Sequence, residues 1–214
     1  LTNRTTLLAG ISHDLRSPLA RIQLALGMLS EKPDRDLLER VMRDVDHMNQ
    51  LIGRCLEVGR DFAEKDRVEI NLCVMLAEIA HDHDASGTEI RAHKGAICDL
   101  SVRPLALRRI LTNLLDNAVR YGDGKPIDIE YDVGTDVVEI RILDRGAGIP
   151  ETEREAVFQP FCRLDPSRSS STGGSGLGLA IVRQIANANG WQVVLDARPG
   201  GGTIACVRVP IAGD

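Results

Sequence analysis

The apolar residues of this chain change their period near residue 68, and that change restricts the possible folds more than any other feature. From Leu8 to Phe62 the spacing is helical. Leu8, Leu15, Ile22 and Leu29 recur every seven residues, with Ile11, Leu19 and Leu26 between them. Leu38, Val45 and Ile52 repeat that spacing, with Val41, Met48, Cys55 and Phe62 on a companion row. Rows of this kind face a helical partner. Glu31-Lys32-Pro33-Asp34 divides the two stretches. Proline disfavours helix at the residue before it, so the helices are expected to fold back as an antiparallel hairpin. A lone hairpin leaves much of each row in water, and pairing with a second copy into a four-helix bundle covers it.

Beyond Val68 the pattern is mixed. Ile127, Ile129, Tyr131 and Val133 alternate with polar residues, as do Val138, Ile140 and Ile142, with Gly134 and Asp136 in the turn between them. Residues 192–197 and 203–209 read as another strand pair around Arg198-Pro199-Gly200-Gly201-Gly202. Helical stretches are predicted at 72–83, 103–121 and 177–189. Such interleaving predicts a two-layer α/β sandwich with a mixed sheet. The expected division is a helical domain over 1–62, a charged linker over 63–67 and the α/β domain over 68–214. Ser167 to Gly176 is rich in serine and glycine and is expected to be mobile.

A net charge of −5 and a pI near 5.6 argue against a nucleic-acid surface, which needs a basic patch to neutralise phosphates. The five cysteines lie far apart without a C-x-x-C pair, as expected of reduced thiols. No run approaches the roughly 18–20 apolar residues of a membrane span, and no signal-peptide pattern is present. The chain starts at Leu1, already inside the helical pattern, as expected of a piece cut from a longer protein.

Within the first helix stands Ser12-His13-Asp14-Leu15-Arg16-Ser17-Pro18-Leu19. A lone helix histidine is ordinarily just polar surface. Here Asp14 can hold one ring nitrogen protonated and leave the other as a nucleophile. Pro18 cannot donate to the carbonyl of Asp14, so the helix is expected to loosen beside the imidazole. A proline inside a helix costs about 3 kcal/mol, which argues for a reason to keep it.

Three further strings suggest a nucleotide. Asn113 and Asn117 lie one turn apart on a helix, away from Ile110, Leu114 and Leu115. Asp144-Arg145-Gly146-Ala147-Gly148 follows a strand; its glycines allow close backbone approach, and its carboxylate can accept from an adenine amino group. Gly174-Ser175-Gly176-Leu177-Gly178 opens a helix, where free amides and the positive end of the dipole suit phosphate. It does not fit the dinucleotide fingerprint, which requires a preceding strand. Each string alone is weak, and their conjunction is strong.

Together these strings resemble the two-component sensor histidine kinases, closest to the osmosensor (EnvZ-like) branch. His13 to Leu19 is similar to their phospho-acceptor H box, Asn113 to Tyr121 to the N box, and Asp144 to Gly148 to the G1 box. Gly174 to Gly178 resembles the G2 box, and Phe158-Gln159-Pro160-Phe161 the F box. The resemblance implies a dimeric four-helix bundle followed by an ATP-binding fold of the GHKL (Bergerat) type. It implies that His13 accepts a phosphoryl group from ATP, that Asp14 serves as base or orienter, and that Ser17 helps place water for phosphatase action. Relatives often carry Thr where Ser17 stands. It also implies that Asn117 binds Mg²⁺ and that Asp144 reads adenine. Asn113, Arg120, Tyr121, Gly146, Gly148, Arg163, Gly174, Gly176, Leu177 and Gly178 complete the nucleotide site, with Arg163 in a lid.

The implied partners are a second copy and the receiver domain of a response regulator. The implied setting is the cytoplasmic part of a protein in the bacterial inner membrane, reached only through an N-terminal region outside this sequence. Two other readings compete. Gyrase-type and chaperone ATPases of the same fold carry a glutamate where this chain has Asn113, and an amide cannot serve as general base. A non-catalytic dimer scaffold is the other. His81 and His83, two residues apart, fall on different helix faces and are not expected to bind a metal; His47 and His93 have no partner at ligand spacing.

Overall fold

The computed structural model describes residues 19–28, 36–38, 40–42, 45, 66–83, 87–92, 99–160, 162, 164 and 176–211. The chain separates into two compact units, Leu1–Arg60 and Asp61–Asp214. In the first unit every described residue is helical. Ala25 and Val41 are buried within the single chain, whereas Leu19, Leu26, Leu38 and Val45 from the seven-residue rows remain exposed. Val41 lies on the companion row and Ala25 off the rows, so burial within one chain takes in only part of the seven-residue pattern. Leu24, Met28 and Met42 add further exposed apolar surface.

The second unit runs β1 (Val68–Asn71), α1 (Leu72–Asp82), β2 (Ile90–Ala92), β3 (Asp99–Val102), α2 (Pro104–Tyr121), β4 (Ile127–Val133) and β5 (Val137–Leu143). Two single-turn 3-10 helices follow, Glu151–Glu153 and Ala156–Phe158, then α3 (Gly178–Asn189), β6 (Gln192–Ala197) and β7 (Thr203–Pro210). The main sheet has the order β2-β4-β5-β7-β6, and β1 pairs separately with β3. It is mixed: β2 runs parallel to β4, while the other pairs are antiparallel. No described helix is long and apolar enough to cross a membrane.

Local chemistry explains the element ends. Asn71 caps α1 by accepting from the amide of Val74 at 3.1 Å. Pro104 stands in the first turn of α2, where its missing N–H leaves nothing unpaired. Gly190 ends α3 in the left-handed conformation at φ 69°, and the amide of Trp191 then closes on the carbonyl of Ala186 at 2.8 Å.

The core lies between the helices and one face of the sheet. Alternation turns Val138, Ile140 and Ile142 of β5 inward with Ile127 and Ile129 of β4 and Val207 and Val209 of β7, all buried. Against them lie Leu107, Ile110, Leu111, Leu114 and Leu115 of α2 and Ile181, Val182 and Ile185 of α3. Tyr131 joins that face, its hydroxyl 2.7 Å from Cys73 Sγ on α1.

The predicted strands at 127–133, 138–142, 192–197 and 203–209 and the three helices all form. Strands β1, β2 and β3 were not anticipated. They span three or four residues each, too short for alternation to register. The thiols of Cys73, Cys162 and Cys206 are free. Burial pushes the Cys206 thiol up, which keeps it protonated.

On the other sheet face Glu139 accepts from Arg141 at 3.0 Å and from Arg208, its cross-strand neighbour, at 2.7 Å. These bonds, that of Arg141 foremost, hold the Glu139 carboxyl below its ordinary range. A carboxyl lowered by folding adds stability above its unfolded pKa and loses it as pH falls through the folded value. Glu139→Gln is therefore expected to lower the melting temperature at neutral pH and to narrow its gap from the wild type as the pH is taken down through the acid range. A gap that stays constant across an acid titration followed by circular dichroism would refute this.

Candidate nucleotide-binding site

One side of α2 is committed to the core, and the polar residues of its C-terminal half lie on what remains. Asn113 donates from Nδ2 to the carbonyl of Arg109 at 2.9 Å, back along its own helix. One turn on, Asn117 is held by no such bond. Its Nδ2 is buried without a hydrogen-bond partner among the described residues. A native structure seldom leaves a buried amide in that state, and it points to an absent group. Gly178, the first residue of α3, sits over both asparagines. A Cβ there would be 3.4 Å from Asn113 Oδ1 and 3.8 Å from either end of the Asn117 amide.

The glycine string after β5 meets the same helix at its C-terminal end. A Cβ on Gly146 would lie 2.0 Å from the carbonyl oxygen of Tyr121, so only glycine lets the two backbones approach this closely. Two segments distant in sequence, at 144–146 and 178, thus meet the second half of α2. Lys125 adds a tie from the turn after α2, donating to the carbonyl of Arg145 at 3.2 Å.

Asp144 is fixed from several directions. Its amide donates to the carbonyl of Thr203 at 3.0 Å. Its Oδ1 accepts from the amides of Gly146 at 2.8 Å and Thr203 at 3.1 Å. With Oδ1 so occupied the carboxylate cannot rotate freely, and Oδ2 takes no hydrogen bond from the described residues. Asp144 as a residue is 8% exposed, so that second oxygen is a defined acceptor at the edge of the core.

The remaining expected residues are placed as follows. Tyr121 is half exposed, Arg120 is half-buried on α2, and Gly148 and Gly176 adopt positive φ values of 77° and 68°. Leu177 is 2% exposed, so its side chain belongs to the core and only its backbone can meet a ligand. Phe158 is buried, with the Arg183 guanidinium 3.9 Å above its ring. His13, Asp14, Ser17, Phe161, Arg163 and Gly174 lie outside the described residues, as does most of the expected mobile stretch.

Two polar groups of this unit have no signal in the sequence. Asp128 and Arg198 form a buried pair at 2.5 Å directly behind Asp144. They stand 70 positions apart, and each alone reads as an ordinary strand or turn residue. His83, expected to be bland, bonds to Asp116 at 3.0 Å and to the Ile79 carbonyl.

Among the described residues no group of three histidine, cysteine or carboxylate side chains could hold a metal. An ion held at Asn117 would take most of its ligands from phosphate and water, the habit of Mg²⁺. Neither end of that amide is tied by the described residues, so it can turn its oxygen outward.

Comparison with known proteins agrees with this geometry. Residues 102–213 match the family of histidine kinase-, DNA gyrase B- and HSP90-like ATPases, and residues 3–61 match the His Kinase A (phospho-acceptor) domain. The chain is 36% identical to the sensor histidine kinase GtrS of Pseudomonas aeruginosa over all of its own length and 43% of that protein. It resembles the ATP-binding domain of PrrB from Mycobacterium tuberculosis, with 28% identity, a TM-score of 0.58 and coverage of 70% of this chain and 100% of the other. It also shares the fold of the histidine kinase ThkA, solved in complex with the response regulator TrrA. There the TM-score is 0.74 at 18% identity, covering 96% of this chain and 61% of that one. The chain spans less than half of its curated relative GtrS, and across that span, in the phospho-acceptor domain and the ATPase-type domain alike, it belongs to the two-component sensor histidine kinases.

Proposed function

We propose that this chain transfers the γ-phosphoryl group of Mg-ATP to His13 and passes it on to an aspartate of a response-regulator receiver domain. The observation that carries this reading is the convergence on α2 of the unpartnered Asn117 amide, the open Oδ2 of Asp144 and the start of α3 at Gly178. Each end of an ATP molecule then has a counterpart. Asp144 Oδ2 accepts from the adenine amino group. The first-turn amides of α3, which has no side-chain cap, donate to phosphate. Asn117 Oδ1 would hold the ion, and Arg120 and Arg163 would serve the phosphates. Mg²⁺, when bound, neutralises charge on the phosphate oxygens.

In the transfer a nitrogen of His13 attacks the γ-phosphorus, an N–P bond forms, the bond to the β–γ bridging oxygen breaks, and ADP leaves. Asp14 accepts from the other ring nitrogen and keeps the attacking one unprotonated. Little covalent work falls to the protein, so positioning and charge stabilisation supply most of the acceleration. Ser17 offers a hydroxyl that can orient water against a phosphorylated regulator. Net ATP hydrolysis is disfavoured, because the amide of Asn113 already donates to Arg109 and has no basic lone pair to activate water. The assignment places phosphotransfer and dimerisation in residues 1–62, a linker at 63–67 and ATP binding in 68–214.

Incubation with γ-labelled ATP should give a label that is acid-labile and base-stable, the signature of a phosphoramidate. His13→Gln is expected to abolish it while ATP affinity stays within about twofold, since nucleotide and acceptor belong to separate domains. Persistent labelling of that variant would place the acceptor elsewhere. Asn117→Asp keeps the shape but sets a negative charge beside the phosphates. Calorimetry is expected to show Mg-ATP binding weakened by about tenfold or more, and an unaltered affinity would exclude Asn117 from the site.

The exposed Leu38 and Val45 share their seven-residue row with Ile52, and a second copy laid along that row gives the bundle its missing face. Ile52→Glu would bury an unpaired carboxylate in the seam at a cost of several kcal/mol. Light scattering is expected to show a dimer for the native chain and a weakened one for the variant. An undisturbed dimer in the variant would sink this arrangement.

A further inference from the structure

We infer that Arg198, held by Asp128, is the positioning residue that gives Asp144 its selectivity for adenine; the inference rests on the proposed contact between Asp144 and the nucleotide base. Arg198 lies in the turn between β6 and β7. Its side chain is 12% exposed, and that of Asp128, at the start of β4, is 8% exposed. From Nη1 the guanidinium donates to the carbonyl of Leu143 at 3.0 Å and to that of Asp144 at 3.3 Å. From Nη2 it donates to Asp128 Oδ2 at 2.5 Å. One planar fork thus joins the start of β4, the end of β5 and the β6–β7 turn.

The turn presents the fork in a fixed attitude. The Arg198 amide donates to the carbonyl of Gly202 at 3.0 Å, and its own carbonyl accepts from Gly201 at 3.0 Å. Gly202 has a φ of 109°, and a Cβ there would fall 2.2 Å from the carbonyl oxygen of Asp144. Only glycine at 202 therefore lets the turn that carries Arg198 pack this closely on the backbone of Asp144.

Which oxygen the guanidinium takes is the decisive point. A buried arginine beside an aspartate ordinarily pairs with its carboxylate, and here that would consume the acceptor needed by a base. Arg198 takes the backbone carbonyl of Asp144 instead, because Asp128 supplies the carboxylate that neutralises it. Arg145 Nη2, 3.8 Å from the same Asp128 oxygen, is drawn to that side as well. Asp128 thus keeps two cations on its own side, while Asp144 Oδ1 is occupied by amides and Oδ2 stays open. Lysine cannot substitute, since one ammonium does not span two carbonyls and a carboxylate as a fork does.

The test compares ATP with ITP, which carries a carbonyl oxygen where ATP has its amino group, in calorimetry on the full chain. The native chain is expected to prefer ATP by about tenfold or more, the penalty for setting an acceptor against a carboxylate. Arg198→Gln is expected to bring the ATP-to-ITP ratio close to one, and Asp128→Asn to lower it as well. Should Arg198→Gln fail to fold, Arg198→Lys carries the test, with a ratio below the native one.

A general loss of structure would weaken both nucleotides equally. An unchanged ratio in a folded Arg198 variant, whatever the absolute affinities, overturns the inference and leaves the role of Asp144 standing. A native ratio near one removes the Asp144 reading itself, and this inference with it.

Discussion

The arrangement depends on how α2 divides its surface. Leu107, Ile110, Leu111, Leu114 and Leu115 are all but sealed from water, which fixes the helix rotation about its axis by the burial of a whole apolar stripe. A rotation of one residue would expose several of these side chains at a cost of roughly 1.5–3 kcal/mol each. Asn113 and Asn117 cannot then choose where they lie. They occupy the strip between core and solvent that Gly178 covers from one side, and the end of the same helix meets Gly146. The site is therefore a by-product of core packing, and its precision is inherited from a rigid element.

This explains which features were legible in the sequence. Long periodic stretches were: the stripe of α2, the alternation of β4 and β5, and the turn-bounded strands β6 and β7 all form where periodicity put them. Asn113, Asn117, Asp144, Gly146 and Gly178 stood out as strings, and the fold brings these five around one helix. What was not legible had no local signature. Strand β2 is three residues of a parallel edge whose pairing with β4 reaches across more than thirty positions. Asp128 reads as the polar half of an alternating strand, and only the folded chain sets it against Arg198. The side-chain burial of Leu177 was hidden for the same reason, because a glycine-rich string gives no warning that one member is core.

The first unit shows the complementary situation. Its rows were readable over seven-residue repeats, yet among its described residues only Ala25 and Val41 are buried within one chain. Leu19, Leu24, Leu26, Met28, Leu38 and Met42 remain exposed on a single chain. Isolated exposed leucines are ordinary, but this many in so short a stretch are not. The described part of the unit leaves much apolar surface uncovered on one chain, and the dimer proposed above is the arrangement that would cover it with no new sequence information.

The polar groups around Asp144 obey a stricter rule than those elsewhere. On the open sheet face Glu139 pairs with two arginines, in partial contact with solvent, and losing a partner there leaves water to replace it. Behind Asp144 there is little water to do so. The Asp128 carboxylate and the Arg198 guanidinium are both close to fully buried, and a charge so placed requires its partner. Apolar residues of similar volume could fill that space at no loss of stability. They could not donate to the two carbonyls at the end of β5, and without those bonds the strand end that carries Asp144 is free to shift. Burying an ion pair here makes physical sense if its role is to hold a carboxylate in place without touching it.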